Sequence, residues 1–206
     1  MAATDGSYEG INVDIAKIVA KKLGRSGLKI IDQEWSGIFA GCYAIIGAAI
    51  AYYYLLPSGE FLLLQSHNFT QIVLLLAAVA IASIFTALVL TTRKAKRNNS
   101  AIWDHTTKRL LVNFLIPLLT GGMYILIKLN SQHYGLTAAL MLIFYGLALV
   151  NASRYTIGNV KYLGYVEIIL GLICAAFPGY GLWFWVFGFG LMHIVYGSVM
   201  LINEKN

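Results

Sequence analysis

Charge is scarce in this chain. Asp, Glu, Lys and Arg make up 12% of its 206 residues, against 59% hydrophobic residues, and the mean hydropathy is +0.71. That balance excludes an ordinary soluble domain. Cysteine is nearly absent: Cys42 and Cys174 lie far apart inside apolar runs, with no CxxC spacing, so they read as small packing residues rather than redox or zinc groups. Proline is rare too, and of the three only Pro117 falls inside an apolar run. Catalytic signatures are missing: the chain has no HExxH, no GxSxG, no Walker lysine loop and no Gly-rich dinucleotide fingerprint. An enzyme is not expected. Nor is a cofactor, because His67, His105 and His133 fall in loops and His193 alone lies deep in an apolar run, without a second axial ligand for a haem.

What the chain has instead is six apolar segments, at 35–56, 71–91, 110–128, 135–151, 162–177 and 181–202. A helix needs ~20 apolar residues to cross the hydrocarbon core. Backbone groups in lipid must be satisfied internally, so runs of this length mean helices. The expected fold is all-α: an integral membrane bundle of six transmembrane helices arranged as hairpins over 35–206, preceded by a cytoplasmic amphipathic segment at 1–34. Basic residues set the orientation. Fourteen of the fifteen Lys and Arg fall in alternate stretches, at Lys17, Lys21, Lys22, Arg25 and Lys29, at Arg93, Lys94, Lys96, Arg97, Lys108 and Arg109, at Arg154 and Lys161, and at Lys205. The intervening stretches hold only Lys128. The positive-inside bias predicts both termini on the cytoplasmic side of a bacterial inner membrane. The net charge of +6 is then topological: membrane lipids are the expected partners, with no nucleic acid.

The N-terminal segment is a different material. Ile11, Ile15, Ile18 and Val19 follow helical spacing with Lys17, Lys21 and Lys22 interleaved, and Gly24 and Gly27 end the pattern. The spacing predicts a short helix lying along headgroups. No apolar core follows the first basic residues, so a cleavable signal is not expected. Residues 5–24, from Asp5-Gly-Ser-Tyr-Glu to Lys21-Lys-Leu-Gly24, resemble the opening turn and first helix of periplasmic amino-acid-binding proteins. The rest of that fold has no counterpart, so no ligand-binding residue carries over, and the segment reads as a leader of foreign or drifted origin.

An internal repeat is visible. Leu140-Met-Leu-Ile-Phe-Tyr-Gly146 and Leu191-Met-His-Ile-Val-Tyr-Gly197 match at five of seven positions, and Asn151 and Asn203 follow. Spans 3–4 and 5–6 thus look like two parallel copies of one hairpin. Such repeats build ordinary bundles and also flank central sites in transporters. Small residues at Gly37, Gly41, Ala44, Ala48 and Ala51, and at Gly190 and Gly197 around Ile194, form stripes on which membrane helices pack closely. Trp35, Tyr52, Tyr53, Tyr54, Trp183 and Trp185 stand near span ends, where an aromatic belt is expected.

The last hairpin, from Gly164 through Phe177-Pro-Gly179 and Phe187-Gly-Phe-Gly190 to Gly197, resembles the HdeD-type acid-resistance membrane proteins, which are also built from three helical hairpins. The whole of 36–206 resembles a family of uncharacterised six-span bacterial membrane proteins. The resemblance rests on Ser36-Gly-Ile-Phe-Ala-Gly41, Lys108-Arg-Leu-Leu111, Pro117-Leu-Leu-Thr-Gly-Gly122 and Phe144-Tyr-Gly-Leu-Ala-Leu-Val-Asn-Ala-Ser153. It implies the six-span architecture and brings no activity with it.

Polar groups inside spans are few, and burying them in lipid is costly. Glu167 stands roughly 9 Å and His193 roughly 13 Å from the cytoplasmic span ends at helical rise. Tyr145 and Tyr196 fall near the depth of Glu167, and Asn113 is shallower. Asn113, Tyr145, Glu167, His193 and Tyr196 therefore form a candidate intramembrane cluster, in which a Glu–His pair has the chemistry to carry a proton. The competing expectation is that Glu167 snorkels toward Lys161 or Arg154 while His193 caps a buried carbonyl. A second candidate is the cytoplasmic loop, where Trp103, Asp104, His105, Lys108 and Arg109 read as an interfacial helix on headgroups or a surface for a partner. Neighbours on a helix point apart, so chemistry by Trp103, Asp104 and His105 together is not expected.

Two functions follow. One is a non-enzymatic integral membrane protein with a structural, stress-response or scaffolding role, as a homo-oligomer or with a membrane-protein partner. The other is a small-solute or proton-coupled transporter using the cluster between spans 3–6. A transporter calls for broken helices, and Pro117 with Gly121 and Gly122 is the one interruption expected, so the sequence favours the first function and keeps the transporter as the alternative.

Overall fold

The computed structural model describes residues 35–55, 67–97, 105–131, 133–155 and 160–204. The N-terminal segment, including 5–24, lies outside the described residues, as do Trp103 and Asp104. Six helices make up the described chain: α1 Trp35–Leu55, α2 His67–Arg97, α3 His105–Asn130, α4 Thr137–Tyr155, α5 Val160–Ala176 and α6 at 181–204. No strand occurs among the described residues. Five helices are long and apolar enough to cross a membrane: α1, α2, α3, α4 and α6. The fifth in chain order, α5, has 17 residues, or about 25 Å at helical rise.

Helix ends depart from the apolar runs. α3 starts at His105, because no glycine or proline interrupts 105–116. His105, Lys108 and Arg109 are exposed in its first turns, and the rest of the expected interfacial helix, Trp103 included, lies outside the described residues. Pro117 does not break α3 either. Proline removes the hydrogen bond to the carbonyl four residues back, here that of Asn113. That carbonyl accepts instead from Asn151 Nδ2 on α4, at 2.8 Å. The irregular backbone lies elsewhere, in π-helical stretches at Ala51–Leu55 and Val186–Met192.

Contacts fix the helix directions. On α5, Gly164 meets Gly146 of α4, and Gly171 meets Ala139, so α4 and α5 are antiparallel. Gly41 of α1 likewise lies on Gly190 of α6, and Gly37 near the His193 carbonyl. The repeat has a structural counterpart here. A methyl group on Gly171 would meet the Ala139 carbonyl oxygen and Ile143 Cγ1, and one on Gly41 would meet the Gly190 carbonyl oxygen and Ile194 Cγ1. Ala139–Ile143 and Gly190–Ile194 occupy matching positions of the two repeat copies. α5 thus sits on α4 as α1 sits on α6, each through a glycine seated beside a small residue and an isoleucine one turn on. Close backbone approach of this kind holds membrane helices together where water supplies no driving force.

The buried side chains lie among α4, α5, α6 and the inner face of α1. Ala44 and Ala48 pack on Trp185, while Ala139 and Leu142 pack on Cys174. Trp185 is therefore a core residue, 7% exposed, and not part of an aromatic belt. Trp35, Tyr53, Tyr54 and Trp183 are exposed. α2 lies at the edge, touching α1 through Val79 against Gly47 and Tyr43 Oη against Thr86 Oγ1 at 3.2 Å.

Candidate functional site: a buried histidine and glutamate with a half-buried tyrosine

Three of the five residues expected to converge do so. Glu167 stands at the middle of α5 and is 0% exposed; His193, on α6, is 6% exposed. Tyr145 on α4 brings its hydroxyl 2.8 Å from His193 Nε2. His193 Nδ1 lies 3.0 Å from the Gly188 carbonyl oxygen and 3.6 Å from Glu167 Oε1.

These distances assign the ring's roles. A carbonyl only accepts, so Nδ1 carries the hydrogen and donates to Gly188; in the neutral ring Nε2 then accepts from the Tyr145 hydroxyl. The carboxyl is different. Neither Glu167 oxygen has a hydrogen-bond partner among the described residues, and 3.6 Å from Nδ1 is beyond hydrogen-bond length. Snorkelling does not occur, since the side chain is fully enclosed. His193 does bond a carbonyl, as the competing expectation had it, while also contacting Tyr145 and facing Glu167.

Local sequence explains the convergence. Gly188 lies in the π-helical stretch, and a methyl group there would collide with Glu167 Oε2 and Leu142 Cδ2. Its bare backbone leaves the volume the carboxyl fills. The wider turn also lets the His193 ring reach back five residues to Gly188, while the backbone N–H of His193 donates to the Gly190 carbonyl. Local π-helix is frequent at functional sites. The aromatic Phe189 completes the wall: its ring centroid is 5.0 Å from Tyr145, 5.4 Å from Trp185 and 6.0 Å from His193.

The other two candidates are placed differently. Tyr196 packs with Tyr145 and Phe114 against buried Leu149, Val160 and Leu163. Asn113 turns its Nδ2 back to the Arg109 carbonyl at 2.8 Å on its own helix, so it leaves the cluster. Of the residues expected in a cytoplasmic loop, His105, Lys108 and Arg109 are exposed. Sequence reasoning gave Gly188 and Phe189 no part in the site and put Trp185 in the aromatic belt; the Phe187-Gly-Phe-Gly190 run, with no proline, was the available signal for the first two.

A carboxyl, an imidazole and a phenol thus stand side by side on three helices, the imidazole hydrogen-bonded to the phenol and 3.6 Å from the carboxyl, and an imidazole is a group able to take up and release a proton. Their assembly has to be weighed on geometry alone, because no protein-family model, no curated protein and no solved structure matches this chain.

Proposed function

We propose that the chain is a six-span integral membrane protein, three helical hairpins in a bacterial inner membrane with both termini cytoplasmic, acting as a proton-coupled transporter of a small solute. Glu167 and His193 would take and release the proton. The observation that carries this reading is Glu167 itself, fully buried without a hydrogen-bond partner among the described residues. An ionisable group at depth is costly, and one kept only for packing would be better as an apolar residue. Among the described residues, His193 of α6 lies against it and Tyr145 of α4 is hydrogen-bonded to that histidine. α5 serves as the sixth span by local thinning of the bilayer, which a helix of its length requires. Its basic flank at Arg154 and Lys161 agrees with the charge bias of the other ends.

The test is proton movement in reconstituted vesicles loaded with a pH-sensitive dye. Vesicles with the protein should dissipate an imposed pH difference faster than protein-free vesicles. Glu167→Gln and His193→Ala should return the rate to that of the lipid. Equal rates in all preparations would overturn the reading.

A second reading, a non-enzymatic structural or scaffolding protein, draws on α2. Leu74, Ile81, Phe85 and Leu88 form one exposed apolar face, which suits either lipid or a helix of a membrane partner. Vesicles that move no protons, together with a partner cross-linked through that face, would favour it.

A further inference from the structure

The His193 ring has one hydrogen on Nδ1 and two oxygens in front of it. The Gly188 carbonyl is 3.0 Å away and Glu167 Oε1 is 3.6 Å away. We infer that this ring is a two-position latch on the π-helical stretch Val186–Met192. Nδ1–H rests on Gly188 while Glu167 is protonated, and passes to Glu167 when that carboxyl ionises, which lets the stretch rewind as α-helix. The inference rests on the proton-transfer reading and adds to it the movement that the proton drives.

Three observations carry the latch. The first is a single donor shared between two acceptors. A hydrogen bond to an ionised acceptor is roughly twice as strong as one to a neutral group, so loss of the proton makes the nearer carbonyl the weaker claimant. Neither Glu167 oxygen has a hydrogen-bond partner among the described residues, so nothing there competes with the ring. The swing is small, and it pivots on the Nε2 end that the Tyr145 hydroxyl holds.

The second observation is where the latch closes. Gly188 lies inside the π-helical stretch, a rare winding whose bonds span one residue more than those of the α-helix. Rewinding therefore turns the preceding part of α6 by about one residue, ~100°. The third is what that turn moves. Trp185 stands immediately before the stretch, 7% exposed and packed on Ala44 and Ala48 of α1. Turned with the helix, it leaves those alanines, and α6 loosens from α1. One proton thus selects between two packings of the bundle, as a two-state element requires.

The chemistry is one proton. The Glu167 O–H breaks, its hydrogen leaves for bulk water, and the ring keeps Nδ1–H and stays neutral in both positions. Tyr145 of α4 donates to Nε2 and stays neutral as well. Tyr196 of α6 packs with Tyr145 against Leu149, and Cys174 of α5 packs with Leu142 and Phe189. From α1, Gly37 meets His193 at its backbone carbonyl.

The test uses the full chain in lipid nanodiscs with 5-fluorotryptophan at its four tryptophans, followed by fluorine NMR from acid to alkaline pH. The Trp185 resonance is the one missing from Trp185→Phe. It should show two positions whose population ratio changes about 10- to 100-fold, what one hydrogen bond to a charged group supplies. Spin-labelled lipid should broaden the alkaline position and spare the acid one. Glu167→Gln should hold the acid position at every pH, and His193→Phe, with a ring but no N–H, the alkaline one. A single position throughout in the unaltered protein overturns the latch. So does a smooth shift without new lipid exposure, which is the field of the charge alone, or an inversion that survives Glu167→Gln. Proton movement in vesicles with an immobile Trp185 would sink the latch and leave the transport reading standing. A moving Trp185 without proton movement would do the reverse.

Discussion

Gly188 and Glu167 compete for one volume: a methyl group on Gly188 would stand 2.5 Å from Glu167 Oε2 and as close to Leu142 Cδ2. The carboxyl is held where it is by the absence of a side chain on the facing helix. Gly188→Ala should therefore cost about 1–3 kcal/mol, as overpacking of a filled interior does. It should lower the thermal midpoint in mild detergent by several degrees and displace Glu167 from His193. An unchanged midpoint would mean that the α5–α6 contact is looser than described.

Replacing Glu167 should separate stability from activity. With no hydrogen bond to lose, Glu167→Met exchanges a buried unsatisfied carboxyl for an apolar chain of similar size. Substitutions of this type are neutral or stabilising by about 1–4 kcal/mol. The variant should unfold at the same or a higher temperature than the parent and yet fail to move protons. Tyr145→Phe is the contrasting case, since it strips the hydroxyl from His193 Nε2; it should cost about 1 kcal/mol. A destabilised Glu167→Met would show that the carboxyl is structurally engaged, and the functional reading would lose its footing.

The two glycine seats predict matched losses. Gly41 and Gly171 rest against the same arrangement of a small residue and an isoleucine one turn on. Alanine at either would meet backbone oxygen closer than real Cβ atoms come, so it should force the helices apart and destabilise the protein to a similar degree. Gly122 is the control, because a Cβ there meets nothing within 4 Å. Gly122→Ala should be neutral or gain up to about 1 kcal/mol from helix propensity. Midpoints for the three single variants decide it: losses at Gly41 and Gly122 of equal size would remove the case for a repeated packing unit.

How far these features were legible in the sequence depends on what each needed. Helical runs were legible because length and apolarity alone demand them in lipid. The meeting of Tyr145, Glu167 and His193 followed from depth along each span, with helix rotation as the missing quantity. Rotation is set by glycine seats such as Gly146 against Gly164, where both partners must be known at once. Trp185 was misplaced because position near a span end is the same for a belt residue and for a core one; the small residues Ala44 and Ala48 opposite it decide the matter. The π-helical stretch at Val186–Met192 has no proline to announce it. Asn113 was drawn into the cluster by its polar side chain, whereas its backbone carbonyl carries its contact with α4.

That carbonyl supplies the most discriminating experiment on the fold. Pro117 has no N–H to give to Asn113, and Asn151 Nδ2 reaches across from α4 to take the freed oxygen at 2.8 Å. Asn151→Leu alone should leave a carbonyl unsatisfied and cost about 1–3 kcal/mol. Pro117→Ala alone restores a donor on the same helix, so the oxygen then has two claimants and little is gained. In the double variant the restored N–H serves the carbonyl, and the Asn151→Leu penalty should shrink to a fraction of its value with Pro117 present. The double variant should therefore be more stable than the sum of the two single losses predicts, by about 1 kcal/mol as read from the four thermal or denaturant midpoints, within the range for residues sharing one partner. Strict additivity would mean that the Asn151 bond does not compensate the proline, and α3 would need another account of its continuity.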